Sequence, residues 1–282
     1  MYELSIVNEF GEVLPLTNNP DYDIIAVAGL NPPPAAINTV AVSGIDGTRY
    51  NSARLGERNV VIDLHINGDI EANRINLYKY FRVKHKVRIR YKNEHADVYI
   101  DGYVDTFENN LFTMSQRPQI SIICPEPYWK STTETDLDFD TVTSLFEFPF
   151  SIPAEGVAFS ELSSVSSIYF DAGNVATGAI ITFTALANGV KNPTFYNHTT
   201  GEFIGVIATM QSGDVITINT QQGEKSVTLL RSGVVTNLIN DRLDGSKWLV
   251  FEPGANKVSY GADEGASALR VALQITQKFE GV

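Results

Sequence analysis

The chain has 282 residues and 31.0 kDa, more than one compact domain usually holds, and its 43% hydrophobic against 19% charged residues exclude general disorder. With 21 basic and 33 acidic side chains the net charge is −12, so the basic stripe of a sequence-specific nucleic-acid reader is not expected. The single cysteine, Cys124, excludes an internal disulfide framework and any multi-cysteine zinc site. The longest apolar runs, such as IIAVAGL, fall far short of the roughly 18 residues of a membrane span, and Glu3 and Glu9 stand where a secretion signal would be apolar.

The first segment reads as a hairpin, YELSIV and EVLPL about a turn at Asn8 to Gly11. YDIIAVAGL and INTVAV follow as short β runs on either side of Asn31-Pro32-Pro33-Pro34. Prolines have no amide donor for a ladder, so this connection is predicted to be extended and exposed. GIDGTRYNSARLGERN reads as a polar, turn-rich loop with Asp46-Gly47 as its bend, too long for an ordinary connection and suited to a reaching arm. RNVVIDLHI alternates through Val60, Ile62, Leu64 and Ile66 and predicts a strand. Asn67-Gly68-Asp69 ends it, and Asp69 is the expected N-cap of a helix from about Ile70 to Phe81 that turns Ile70, Arg74, Leu77 and Phe81 to one face.

The next pattern is the most informative locally. In VKHKVRIRYK, Lys84, Lys86, Arg88, Arg90 and Lys92 alternate with Val83, Val87, Ile89 and Tyr91. In ADVYIDGYVD, Asp97, Tyr99, Asp101, Tyr103 and Asp105 share one face while Val98, Ile100 and Val104 share the other. Residues 83–92 and 96–105 are predicted to form an antiparallel hairpin with Lys86, Arg88 and Arg90 on the side of Asp97, Tyr99 and Asp101. A turn about Asn93-Glu94 sets Arg90 opposite Asp97, Arg88 opposite Tyr99 and Lys86 opposite Asp101. The basic row is thus read as a cross-strand ion-pair ladder, worth about 0.2–1 kcal/mol per pair, rather than a nucleic-acid patch.

QISIIC reads as a strand ended by Pro125 and Pro127. The acidic segment STTETDLDFDTVT marks a boundary within about residues 128–145, giving an N-terminal domain 1–133 and a C-terminal domain 134–282. Residues 1–130 carry 13 basic and 16 acidic side chains and residues 131–282 carry 8 and 17, so most of the negative charge lies in the second half. There, DVITINT and KSVTLL form a hairpin about Gln222-Gly223. SKWLVFEPG and KVSYGA follow, and ALRVALQITQKF alternates through Leu269, Val271, Leu273 and Ile275. Short strands at regular spacing predict a β-sandwich.

Catalytic chemistry is not expected. Nucleophile-elbow, phosphate-loop, paired-histidine and dinucleotide motifs are all missing, and no catalytic, metal or cofactor residue is assigned. His65 and His85 are placed within strands, His95 and His198 are scattered, and Cys124 reads as a small buried hydrophobe. Asp136, Asp138, Asp140 and Glu147 fit positions of a calcium loop, but Thr141 stands where that loop needs glycine. The stretch is read as an acidic linker entering a strand. Trp248 and Tyr260, with Phe195 and Tyr196, are the candidate carbohydrate contacts, although aromatics in a sandwich usually serve the core. Asn197-His198-Thr199 matches a glycosylation acceptor that only a secreted chain would use.

Several segments in order resemble the siphophage distal tail proteins. GLNPPPAAINTVAVSGIDGTRYNSARLGERNVVIDLHINGDIEANRINLYKYF, YIDGYVD and QISIICPEPYW are similar to the N-terminal domain of that family. NPTFYNHTTGEF, SGDVITINTQQGEKSVTL, SKWLVFEPGANKVSYGADEG and FEGV are similar to its second domain. The resemblance implies a mainly β fold: an N-terminal sandwich or barrel-like domain with one α-helix and an extended arm, then a galectin-like β-sandwich. It further implies a non-enzymatic virion protein at the distal end of the tail, assembled in the host cytoplasm without membrane insertion. Its partners would be five further copies in a homo-hexamer, the tail tube protein, the tail-associated tip protein and receptor-binding proteins. The matching arm is residues 28–58, with Pro32, Pro33 and Pro34 stiffening it and Arg49, Arg54 and Arg58 expected to bind carboxylates of a neighbouring subunit. The acidic balance suits a tail through which DNA passes, because a basic lumen would retain phosphates. The alternative class is a carbohydrate-binding module that grips host wall polysaccharide through Trp248 or Tyr260.

Overall fold

The computed structural model describes residues 2–144, 160–164 and 168–282, and the chain divides into two units. The first is Met1–Thr133 with Lys278–Val282, the second Glu134–Gln277. The final five residues therefore belong with the N-terminal unit, where the charge and proline pattern had assigned all of 134–282 to the second.

The first unit contains β1 (Glu3–Val7), β2 (Val13–Pro15), β3 (Tyr22–Ala28), β4 (Ala35–Ala41), β5 (Thr48–Leu55), β6 (Arg58–Ile66), α1 (Ile70–Tyr80), β7 (Lys86–Lys92), β8 (Asp97–Glu108), β9 (Gln119–Cys124) and β10 (Trp129–Ser131). One antiparallel sheet runs in the order β2-β1-β7-β8-β9-β6-β3, and β10 pairs with the start of β8 and with Lys278–Phe279. It is an open sheet, not a closed barrel. Alternate strand residues face opposite sides, and β6 shows the result: Val60, Ile62, Leu64 and Ile66 are buried on the face that also takes Ile89, Ile100, Ile120 and Ile122. Leu77 and Phe81 of the helical segment close that core. The helix begins where expected, with Asp69 Oδ1 accepting from the Ala72 amide at 3.1 Å.

The predicted basic–acidic hairpin forms as β7 and β8, but its register differs by two residues. Arg88 lies opposite Asp101, Arg90 opposite Tyr99 and Lys92 opposite Asp97. The tight turn is Asn93 to Ala96, whose closure uses the Asn93 side chain as acceptor for the His95 and Ala96 amides. Residues 83–85 are not strand: Lys84 has φ +72°, and His85 sits in that bend beside Glu9 at 2.8 Å. Charge alternation continued past the true strand end because a solvent-facing bend also favours charged residues.

The second unit contains β11 (Thr135–Asp138), β12 (Asp140–Ser144), β13 (Ser160–Ser164), β14 (Ile168–Asp171), β15 (Ala179–Ala185), β16 (Val190–Lys191), β17 (Thr194–Asn197), β18 (Glu202–Gly205), β19 (Thr209–Met210), β20 (Val215–Asn219), β21 (Ser226–Arg231), β22 (Val234–Asn237), β23 (Ala255–Gly261) and β24 (Leu269–Ile275). A six-stranded sheet, β11-β24-β15-β20-β21-β22, and a four-stranded sheet, β14-β23-β17-β18, share one apolar core. Ile181, Phe183, Ile218 and Leu273 enter it from the first sheet and Phe170, Phe195, Ile204 and Val258 from the second. That is a sandwich. The SKWLVF segment is not a ladder strand. Leu249 and Phe251 are buried there, but pairing reduces to the Thr177–Phe251 bridge and a bond from the Lys247 amide to Phe203.

Candidate functional site

The stretch read as a polar loop contains β5, which pairs with β4, the strand expected at INTVAV, to form a β-hairpin. β4 and β5 pair from Ala35↔Leu55 to Ala41↔Thr48, with an irregularity at Asn38/Thr39, and pair with no other strand among the described residues. Its alternation escapes a pattern search because neither face is buried: every residue of β4, and all of β5 but Leu55, is exposed. The exposed positions include Ile37 (64%), Val40 (53%), Ile45 (71%) and Tyr50 (63%). Isolated two-stranded hairpins are marginal in water, and this one carries apolar side chains on the outside.

The arm leaves the first unit through a narrow root. Gly29 has φ +87°, and a Cβ there would stand 2.2 Å from the Asn59 carbonyl oxygen, so only glycine fits. Pro32, Pro33 and Pro34 then follow outside any strand. Arg49 and Arg54 lie exposed on β5. Arg58 is placed differently. It is buried, and its guanidinium donates to the carbonyls of Pro127 (Nε, 2.7 Å), Gly29 (Nη1, 2.5 Å), Asn31 (Nη1, 2.8 Å) and Glu280 (Nη2). Burial pushes its pKa below the usual arginine value, and four carbonyl dipoles hold the cation in place. It lies 5.9 Å over the Trp129 ring. Four of its five N–H donors are thus taken by its own main chain, and its burial keeps it from the exposed surface where Arg49 and Arg54 lie.

A second apolar projection was not legible. Phe112 (99% exposed) and Met114 (93%), with Leu111, stand out from the loop between β8 and β9. Leu111 and Phe112 border an open cleft of about 830 Å³ with Ile25, Asp63, Glu108 and Arg117. The available signal was three apolar residues within NNLFTMSQRP, a run otherwise made of turn formers.

On the β7–β8 face the charges are paired. Arg88 donates to both Asp101 oxygens at 2.7 and 3.1 Å and lies 3.9 Å over Tyr99, while Lys86 reaches Asp101 at 3.2 Å. Arg90 and Lys92 lie 3.7 and 3.6 Å from Asp97. Four cations thus share two carboxylates, so each base has an acidic partner while the face keeps a positive excess.

The aromatic candidates are not assembled into a platform. Phe195 is fully buried, and Tyr260 stands edge-on to Phe139 at 5.5 Å on the core side of β23. Trp248 packs partly on the core with Arg242 (4.6 Å) and Lys225 (5.6 Å) over its ring, and Tyr196 stacks with His198. Asp136 and Asp138 lie on β11, and Glu147 falls outside the described residues. Cys124 is fully buried and its thiol is pushed up to about 12 by desolvation, which leaves it unreactive.

Two family models match separate parts of the chain. Residues 11–124 match the phage tail protein RIFT-related domain, and residues 172–279 match the C-terminal domain of the siphovirus-type tail component. The chain belongs to the siphophage distal tail protein family. No curated protein matches the sequence. Among solved structures, the SPP1 Dit (gp 19.1) protein, a hub of the adsorption apparatus in phages that infect Gram-positive bacteria, superposes with a TM-score of 0.68 at 13% identity, covering 98% of this chain and 99% of that one. A chain of the phage P2 baseplate in its activated conformation with calcium gives 0.57 at 13% identity, covering 100% of both chains. At such identities the likeness is one of fold. In this distal tail protein the fold-bearing residues are the alternating strands of both units, and the arm is carried between two of them, β3 and β6.

Proposed function

We propose that this tail component closes into a hexameric ring at the distal end of the tail, with each β4–β5 arm crossing to the neighbouring copy. In this reading it is a hub without catalysis that joins the tail tube to the tip protein, and its second unit carries outward-facing adsorption proteins. One observation carries the reading: a hairpin paired only with itself among the described residues, with Ile37, Val40, Ile45 and Tyr50 all more than half exposed.

Burying a side chain of this size contributes about 1.5–3 kcal/mol, so covering these four yields on the order of 10 kcal/mol. Association costs about 4–15 kcal/mol. One arm alone is therefore marginal. A closed ring, in which every copy gives one arm and receives one, gains a second contact per subunit without a second full association cost. Arg49 and Arg54 add charge-assisted bonds to a neighbour in a chain whose net charge is −12. The number six comes from the resemblance to distal tail proteins and not from these energies.

Native mass measurement across a concentration series tests the reading. The parent chain is expected to populate six-subunit species. A chain carrying Ile37→Ser, Val40→Ser and Ile45→Ser is expected to stay monomeric with an unchanged unfolding temperature. Equal oligomer distributions for the two chains would contradict it.

A further inference from the structure

Five residues that follow the second unit in the chain return to the root of the arm. Lys278 and Phe279 pair with Lys130 and Trp129. Lys278 Nζ lies 2.5 Å from Glu126, whose other oxygen takes Lys130 at 2.7 Å. Burial raises the Glu126 pKa, but the two lysines outweigh it and hold the carboxylate below its ordinary value. The Glu280 carbonyl accepts from Arg58, and the Val282 amide donates to the Leu30 carbonyl at 3.2 Å. Gly281 lies against Pro32 so closely that a Cβ would stand 2.6 Å from Pro32 Cδ and 2.9 Å from its nitrogen. A proline ring cannot swing away as a flexible side chain would.

These contacts converge on both sides of the root. Gly29, Leu30, Asn31 and Pro32 belong to the segment that enters the arm, Arg58 to the start of β6 that leaves it, and residues 280–282 touch each side. We propose that residues 278–282 form a clasp that sets the direction in which the arm leaves the first unit, and that Arg58 is the positioning residue through which the clasp acts. The proposal rests on the reading of β4–β5 as an assembly arm. An arm fixed at its root loses less freedom on docking than a loose one, which is the general benefit of preorganisation. The clasp follows the second unit in the chain and is made after it. Until it arrives, Arg58 lacks one of its four acceptors and Leu30 its donor, so the arm is set only after the second unit has been synthesised. Ring entry is thereby reserved for chains that carry a complete second unit.

The test reads arm direction within single chains. Nitroxide labels on Ser52→Cys in the arm and Lys79→Cys on α1, both exposed positions, are introduced into the full chain. Cys124, fully buried, stays unlabelled. The labelled chain is diluted with excess unlabelled chain, so that only intrachain distances are measured by pulsed dipolar spectroscopy. The parent is expected to give one narrow distance distribution. Gly281→Ala, which adds one carbon against Pro32, and Arg58→Met, which removes the fork, are each expected to broaden it about two-fold or more, because an unpinned segment samples many positions on the ns–μs scale. Gly281→Ala touches no core residue, so it remains informative even where Arg58→Met fails to fold. Parental width in folded Gly281→Ala would overturn the clasp. The distribution is read whatever the oligomeric state, so a chain that forms no rings refutes the assembly reading while leaving the clasp result standing.

Discussion

Replacing Asp101 by Asn removes the charge at the centre of the β7–β8 face while keeping the size of the side chain. Three contacts end on that carboxylate: two donors of Arg88 at 2.7 and 3.1 Å and Lys86 Nζ at 3.2 Å. The Asp101 side chain is 26% exposed and Arg88 42%. The pairs therefore fall between exposed ion pairs, at about 0.2–1 kcal/mol each, and charge-assisted bonds, at about 1.5–3 kcal/mol. Solvent screening of the two bases places the total near 1–2 kcal/mol, or roughly 3–6 °C in unfolding temperature for a unit of this size. The pH dependence separates charge from packing. Burial pulls the Asp101 pKa up, but Arg88 and Lys86 together pull it below the ordinary 3.8. A depressed carboxylate contributes stability that is present above its unfolded value and lost as pH falls through the folded one. Parent and Asp101→Asn unfolding curves, read from Trp129 in a Trp248→Phe background, should separate at neutral pH and converge below pH 3.8. Molar salt should narrow the neutral-pH gap. A gap of equal size at neutral and acid pH would refute the electrostatic account of this face.

Gly29→Ala places a methyl 2.2 Å from the Asn59 oxygen at φ +87° and is expected to cost about 3 kcal/mol or more, read by urea unfolding; a loss under about 1 kcal/mol would show that the root yields. The Cys124 thiol should resist aromatic disulfide reagents until the chain unfolds; its raised pKa contributes stability below pH 9.0 that is lost as pH climbs toward about 12, and native-state labelling at neutral pH would contradict its burial. Leu273→Ala in β24 should lose about 2–5 kcal/mol and, by hydrogen exchange, expose amides of β11 and β15 while β6 and β9 keep their protection. Equal loss in both units would argue against independent cores.

What was legible in the sequence is what was decided locally. The alternation of Val60, Ile62, Leu64 and Ile66 wrote β6, and Asp69 before an apolar helical face wrote the start of α1. The β7–β8 pairing followed from complementary charge on one face, but register depends on turn geometry, and the Asn93 side chain accepting from His95 and Ala96 moved it by two residues. β5 was hidden because a strand exposed on both faces has no reason to alternate. Arg58 and Glu280 are 222 residues apart, and no local pattern announces a contact between a strand's first residue and a distant main-chain carbonyl. The sugar-platform residues were legible as aromatics, but whether an aromatic faces solvent or Phe139 depends on strand register alone.

Averaged images of the distal end of intact tails test the hub most directly. The expected result is a six-fold ring of first units at the end of the tube, with β4–β5 density from each copy lying on the next. A three-fold ring, an absent ring, or arms folded back on their own subunit would contradict the assembly that the exposed hairpin and its root support.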